Sequence, residues 1–189
     1  MAITAQLVKQ LRDRTGAGMM DCKKALIETD GDLEKAIEYL QVKGIMKAAK
    51  KSDRVAAEGL VATVVTDGGQ SATVIEVNCE TDFVARNEKF HEFVGDLAAV
   101  IAASDATTVE EALQLPWKGQ TVETVTNESI ATIGENIRLR RFVRLSQSEG
   151  FIASYTHAGA QIGVLVNVRV DGEVDSARSP LDRSYDPEG

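Results

Sequence analysis

A carboxylate and an aromatic ring follow directly after an apolar strand within residues 76–86. Asp82 and Phe83 are adjacent and stand behind Thr81, and both Thr81 and Asp82 are residue types that begin helices. A strand that runs straight into a helix holds such side chains at the tip of a rigid element. The pattern is typical of a group that wedges into a partner protein rather than one that turns over a small molecule.

A purely structural role explains the same residues. A capping carboxylate contributes about 1 kcal/mol to almost any helix. Phe83 also shares a helical spacing with later apolar residues and would begin a core-facing stripe. From position alone, we favour this interpretation, in which Asp82 caps the helix and Phe83 belongs to the core.

Enzyme motifs are incomplete in this chain. Residues 16–21 (GAGMMD) begin like a dinucleotide-binding loop but lack its third Gly, and no strand precedes them. Residues 91–92 (HE) lack the second His of a zinc helix, because Gly95 occupies that position. The sequence has no GxxxxGK[ST] phosphate loop, and neither Cys22 nor Cys79 has a His nearby in sequence. We therefore expect no catalytic residue, cofactor or metal, and a thiol enzyme acting through Cys22 ranks far behind.

A second candidate surface lies near the N-terminus, at Arg12, Met19, Met20 and Lys23. Two adjacent methionines cannot both face the core of so short a helix, and flexible Met side chains are common on binding surfaces. The alternative is that one methionine is a core residue and the other is incidental.

Composition limits the class of protein. The chain has 189 residues, 43% hydrophobic and 26% charged, as in ordinary globular proteins. A net charge of −8 disfavours general nucleic-acid binding. The sequence contains neither an apolar signal core at its start nor an apolar run near the ~20 residues that span a bilayer. We expect a cytoplasmic protein without direct nucleic-acid or membrane contacts, for which a homo-oligomer is possible.

Three short helices are predicted first. Gly16 and Gly44 stand at the ends of the first and third, and the second covers about residues 19–29. Helices this short do not stand alone in water, so we expect a small bundle. Residues 45–58 are predicted to extend the third helix and then form a linker.

The remaining pattern predicts an α+β region with mostly antiparallel strands. Its expected elements, in chain order, are a hairpin over 59–79, one helix carrying Phe83, Phe90, Val94, Leu97 and Ile101 on its apolar face, a connection over 104–120 with a short helix near 109–113, a helix over 122–134, a strand over 136–145 and a second hairpin over 151–170.

Two long motifs resemble those of the bacterial elongation factor Ts family, the nucleotide-exchange factors for elongation factor Tu. They are LVKQLRDRTGAGMMDCKKAL (7–26) and EVNCETDFVAR (76–86), and further matching blocks are VAAEGLV (55–61), IGENI (133–137) and SYTHAGAQIGVLV (154–166). The resemblance runs from residue 1 to about residue 170. It implies an α+β fold in which a three-helix bundle similar to ubiquitin-associated domains precedes a core of antiparallel sheet and helices.

The resemblance also implies a division of the chain. The expected units are a bundle with a helical linker (1–54), a first α+β core subdomain (55–145), the first hairpin of an incomplete second subdomain (146–172) and a disordered tail outside the family pattern (173–189). Family members normally continue with helices that cover the second sheet. Without them, the alternating apolar residues of the last strand, from Ile162 to Val170, would lack a cover.

Particular residues acquire roles through the resemblance. In the family, the pair matching Asp82 and Phe83 sits at an exposed tip, inserts into the G domain of elongation factor Tu and disturbs the elements that hold Mg²⁺ beside the nucleotide. For Asp82 and Phe83, the resemblance therefore favours a partner contact over the capping and core roles that position alone suggests. The implied partner-binding residues are Thr81, Asp82, Phe83, Val84, Arg12, Met19, Met20, Lys23, Ile133, Gly134 and His157.

Two hypotheses follow. The first is a guanine-nucleotide exchange factor, not an enzyme, that binds elongation factor Tu in its GDP-bound and nucleotide-free forms during translation elongation. The second is a non-catalytic interaction module that binds elongation factor Tu without driving exchange.

Overall fold

The computed structural model describes residues 3–169, which form an α+β fold. Its helices are α1 (Ala5–Thr15), α2 (Met19–Glu28), α3 (Leu33–Ala49), α4 (Asp82–Ala85), α5 (Glu88–Ala102), α6 (Val109–Leu113) and α7 (Val122–Ile133). Its strands are β1 (Glu58–Thr66), β2 (Ser71–Cys79), β3 (Pro116–Trp117), β4 (Gln120–Thr121), β5 (Arg138–Ser146), β6 (Gly150–Thr156) and β7 (Gly163–Arg169).

Helices α1 to α3 form the expected N-terminal bundle. The Thr4 hydroxyl accepts a hydrogen bond from the Leu7 N–H at the start of α1, and Gly16 ends that helix in the left-handed conformation. The buried apolar residues of this small core are Val8, Leu11, Cys22, Ala25, Leu26 and Ala36. The bundle therefore has a hydrophobic core of its own.

The third helix does not end at Gly44, as its glycine had suggested, but continues to Ala49. Gly44 is buried, and its backbone lies so close to α7 that an added Cβ would stand 3.7 Å from the Asn127 carbonyl oxygen. The missing side chain thus serves close packing between the bundle and the core domain rather than helix termination. The helix end predicted at Gly44 is therefore wrong, whereas the helical extension predicted from residue 45 onwards is confirmed as far as Ala49.

A three-stranded antiparallel sheet, in the order β1-β2-β5, organises the core domain. β1 and β2 form the predicted hairpin, joined by a one-turn 3₁₀ helix at Asp67–Gly69. Ile75 and Val77 of β2 face α5, where they pack with the buried Phe90 and Leu97 in one continuous hydrophobic core. The central strand is therefore covered by a helix on this face.

The second hairpin, β6-β7, packs on the opposite face of that sheet. An added Cβ at Gly163 would stand 3.0 Å from Val61 and 3.4 Å from Val74, both of which point away from α5. The Val61 N–H also donates to the Ala160 carbonyl at 2.7 Å. This contact holds the turn of the second hairpin against the edge of the first.

The outer side of the second hairpin remains apolar and exposed, as the alternation in the last strand predicted. Ile162, Val164 and Val166 all expose large parts of their side chains. Val170 and the predicted tail 173–189 lie outside the described residues, so the structure does not bear on them. Within residues 3–169, no helix is both long and apolar enough to cross a membrane.

The connection over 104–120 contains more structure than its sequence suggested. Strands β3 and β4 pair within it, and the Trp117 ring is buried with its centroid 5.4 Å from that of Phe93. The single tryptophan thus closes one end of the core.

We expect Gly59→Ala to destabilise the fold. Gly59 has a φ of +151°, and an added Cβ would stand 2.2 Å from the Val77 carbonyl oxygen. The nearest atoms are all main-chain atoms of Val77 and Asn78, so no flexible side chain can move aside. The free energy of unfolding should therefore fall by about 2–3 kcal/mol. Urea denaturation followed by circular dichroism measures this change.

Gly95→Ala is the matched control. Gly95 lies inside α5, and an added Cβ would have no neighbour within 4 Å. Alanine should therefore raise the free energy of unfolding by about 0.5–1 kcal/mol through helix propensity. Equal shifts in the two variants would contradict this account of Gly59.

Candidate functional site

The segment Thr81–Val84, here called the tip, leaves the sheet directly after β2. The Thr81 hydroxyl accepts the Val84 N–H at 3.4 Å and so caps α4. Phe83 is 83% exposed, whereas Val84 is half-buried against the core and Ala85 is buried. The aromatic ring therefore projects into solvent from a turn that is anchored on its other side.

Phe83 is not part of the core stripe, which corrects the helical pattern predicted for residues 83–101. α4 ends after one turn, and Asn87 starts α5 by accepting the Lys89 N–H with its side chain. The spacing of seven between Phe83 and Phe90 spans this break, so the two rings do not share a face. Phe90 is fully buried.

Asp82 lies in the first turn of α4, beside a basic side chain of the same helix end. Its carboxylate oxygen is 3.2 Å from an Arg86 guanidinium nitrogen. Asp82 is half-buried and Arg86 is exposed. Such a pair contributes little to stability in water, so the carboxylate remains free to exchange this partner for another.

The end of α7 reaches the tip through Glu135. Gly134 ends α7 in the left-handed conformation, with a φ of 92°, and the chain then places the Glu135 carboxylate against the start of the tip. One carboxylate oxygen accepts the N–H groups of Glu80 and Thr81, both at 3.1 Å, and the other accepts the Thr81 hydroxyl at 2.6 Å. The predicted pair Ile133-Gly134 is thus held beside the tip.

Sequence reasoning did not single out Glu135. The residue belongs to the IGENI block, and its position directly after a helix-ending glycine is the only local signal in the chain. Glu135 accepts hydrogen bonds from residues 54 and 55 positions earlier in the sequence, and no local pattern encodes a contact over that separation.

The turn of the second hairpin lies close to the tip. Gly159 and Gln161 line one pocket of about 370 Å³ together with Asp82, Arg86 and His91. His91, to which the sequence gave no role, therefore lies close to the predicted site. His157, the predicted contact, is exposed in the same turn, and its Nδ1 lies 2.8 Å from the Tyr155 hydroxyl.

The second candidate surface, Arg12, Met19, Met20 and Lys23, lies on the bundle and is here called the methionine surface. Met19 and Met20 are 56% and 74% exposed, so neither belongs to the core, contrary to the alternative that buries one of them. Lys23 is also exposed and follows Met19 by four positions, which places the two on one face of α2. Arg12 and Met19 line one cleft of about 370 Å³ between the bundle and the core domain.

The two cysteines do not have the surroundings of reactive thiols. Both are buried, and burial raises the pKa of Cys22 and raises that of Cys79 to about 12. Burial is the largest cause of the raised Cys79 pKa, and the nearby carboxylates of Glu135 and Glu58 contribute to the same value. Neither thiol forms the thiolate that nucleophilic chemistry requires near neutral pH. Residues 3–169 also contain no cluster of His, Cys, Asp and Glu side chains that could hold a metal ion.

Comparison with known proteins gives a consistent result. The family model described as "Elongation factor TS" matches residues 80–179. The chain is 55% identical over 176 residues to elongation factor Ts of Methylococcus capsulatus, which covers 93% of this chain and 59% of the relative. It is 53% identical over 172 residues to elongation factor Ts of Clostridium botulinum strain Alaska E43, covering 90% of this chain and 57% of the relative.

A third relative repeats this pattern. Elongation factor Ts of Clostridium perfringens strain SM101 is 54% identical over 167 residues, which are 88% of this chain and 55% of that protein. The chain therefore spans less than two thirds of the length of the curated relatives it matches.

We expect Phe83→Ala to leave stability almost unchanged. The ring is 83% exposed and buries little apolar area, so the free energy of unfolding should change by no more than about 0.5 kcal/mol. Phe90→Ala is the matched control, because the same substitution in a fully buried position should cost about 3–5 kcal/mol. A large loss of stability in Phe83→Ala on urea denaturation would mean that the ring is packed.

We expect both thiols to resist a thiol-reactive dye at neutral pH in the folded protein and to react once urea unfolds it. Rapid labelling of the folded protein would contradict the assignment of both thiols as unreactive.

The Cys79 pKa is higher in the folded than in the unfolded chain, so the stabilisation from its protonated thiol is complete below about pH 9 and is lost as pH rises towards 12. The control Cys79→Ala should lose stability less steeply above about pH 9.

Proposed function

Because this chain belongs to the elongation factor Ts family, we propose that it binds elongation factor Tu and promotes release of GDP from it during translation elongation. The observation that carries the proposal is the exposure of Phe83 at the end of an anchored turn. An apolar ring of this size held in water is available to enter a partner's pocket. In the proposal, Thr81, Asp82 and Val84 frame the ring at that contact.

The mechanism needs no covalent chemistry. A guanine nucleotide is held largely by phosphate contacts with backbone N–H groups, by helix N-termini and by Mg²⁺. A protein that binds the open, metal-free state of its partner more tightly than the closed state must lower the partner's affinity for nucleotide by the same factor. In this proposal, the protein is therefore an exchange factor and not an enzyme that makes or breaks bonds.

Two further groups complete the proposed contact. Ile133 and Gly134 lie beside the tip through the Glu135 hydrogen bonds, and His157 lies in the turn that shares a pocket with Asp82. We assign these residues to the same contact as the tip. We place the protein in the cytoplasm, where its proposed partner acts, and assign it no direct nucleic-acid or membrane partner.

The methionine surface is proposed as a second contact with the same partner. Arg12 and Lys23 add positive charge around the exposed Met19 and Met20. Flexible thioether side chains adapt to a partner surface that changes shape. This contact lies on the bundle helices and does not include Phe83, so in the proposal it contributes affinity of its own.

That separation supports a second candidate function, an interaction module that binds elongation factor Tu without driving exchange. The bundle surface alone could hold the partner in this case. The two functions differ in one measurable quantity, which is the rate of GDP release from the bound partner.

We expect the wild-type chain to accelerate release of a fluorescent GDP analogue from elongation factor Tu in a stopped-flow experiment. Phe83→Ala should lose roughly tenfold or more of that acceleration, because exposed aromatic anchors commonly dominate an interface. Val143→Ala is the control, because it truncates an exposed apolar side chain on β5 and should leave the rate unchanged.

The remaining outcomes separate the hypotheses. A complex on gel filtration, with release no faster than the spontaneous rate, would favour the interaction module. Equal rates for wild type and Phe83→Ala would remove the tip from the mechanism. Absence of any complex would contradict both functions.

A further inference from the structure

Two carboxylates tie the base of the tip to the chain that follows α7. Glu135 accepts three hydrogen bonds from Glu80 and Thr81, at 3.1, 3.1 and 2.6 Å. In return, the Glu80 carboxylate accepts the Asn136 N–H at 2.6 Å. We call this set, Glu80, Thr81, Glu135 and Asn136, the carboxylate network.

The network also reaches the linker between the bundle and the core domain. The buried Asn136 side chain donates to the carbonyl groups of Ser52 and Arg54, at 3.4 and 2.9 Å. The Arg54 guanidinium lies 3.5 Å from the same Glu80 oxygen that binds Asn136. Three segments that are distant in sequence therefore meet at the base of the tip.

These bonds add to the restraint that the fold already supplies at Thr81, whose carbonyl accepts from the Cys79 thiol at 3.3 Å. Gly134 already ends α7, and the Thr81 hydroxyl already caps α4. The paired strands end at Asn78 and Arg138 on this side, so Glu80 and Thr81 lie beyond the β2–β5 ladder. Without Glu135, two backbone N–H groups and the Thr81 hydroxyl proton would have to find water instead.

Charge makes the restraint strong. A carboxylate that accepts N–H and O–H groups forms shorter and stronger hydrogen bonds than a neutral acceptor. Two oxygens that receive three donors from successive residues fix both the position and the rotation of that short segment. The direction of Phe83 follows, because only Asp82 separates it from the restrained residue Thr81.

We infer that Glu135 is a positioning residue: its carboxylate holds the base of the tip so that Phe83 points outward in one orientation before the partner arrives. The inference rests on the proposed function for its effect on GDP release, but its effect on the tip itself does not. Glu135 acts through Phe83 and not by touching the nucleotide.

The first test compares Glu135→Ala with Glu135→Gln in the stopped-flow assay. Alanine removes every acceptor, whereas the glutamine oxygen can accept the two N–H groups and its amide can donate to the Thr81 oxygen. We expect Glu135→Ala to lower the maximal rate of GDP release roughly tenfold, with the half-saturating concentration changed less than about threefold, and Glu135→Gln to restore most of the rate. Glu123→Ala, an exposed carboxylate on α7, is the control and should leave both values unchanged.

The second test asks whether Glu135 acts through the ring. Glu135→Ala should have almost no further effect in a chain that already carries Phe83→Ala, because the positioned group is then absent. An equal fold-loss in both backgrounds would overturn the inference. An unchanged maximal rate in the single variant would overturn it as well.

A third measurement needs no partner. Amide hydrogen exchange of residues 81–85 should become faster in Glu135→Ala, while that of the α5 core stays as in wild type. Unchanged exchange at residues 81–85 would overturn the positioning role whatever the activity. If the tip loosens as expected but the wild-type chain fails to accelerate GDP release, the proposed function fails and the positioning role stands.

Discussion

Burial of β2 on both faces is the constraint on which the candidate site depends. Ile75 and Val77 pack beneath α5, and Val74 lies under the second hairpin on the opposite face. Both edges of the strand are paired, with β1 and with β5. Side chains packed at interior density leave such a strand little freedom to shift. Since the tip begins only two residues after the strand ends, its base inherits this rigidity.

The exposure of Phe83 then depends on where a helix stops. If α4 and α5 formed one continuous helix, a spacing of seven residues would bring Phe83 close to the buried face that holds Phe90. The break at Asn87, whose side chain caps α5, turns the preceding residues out of that register. Periodicity predicted a core position for the ring because it cannot detect a cap inside an otherwise regular apolar pattern. The family resemblance implied an exposed position for this ring, and Phe83 is exposed.

The sequence predicted much of the fold and less of the site for related reasons. Strand and helix bounds follow from local signals, such as the turn at Asp67–Gly69 and the stop at Gly134, and these are confirmed within a few residues. The helix end predicted at Gly44 was wrong because, in the sequence, a glycine that permits close helix packing cannot be distinguished from one that ends a helix. Trp117 and Glu135 were missed because their partners are distant in sequence, and only the assembled fold brings them together.

The two proposed contacts have different mechanical properties, and exchange requires that difference. A group that binds the open and closed states of a partner equally well shifts no equilibrium, however tightly it binds. Flexible side chains such as Met19 and Met20 can adapt to either state, so their contribution is mainly affinity. In the proposed mechanism, a ring whose direction β2 and Glu135 fix cannot adapt in this way and clashes with a state that leaves no space for it. In the proposed mechanism, discrimination between the two states therefore comes from the tip, and loosening its base would turn an exchange factor into a simple binder.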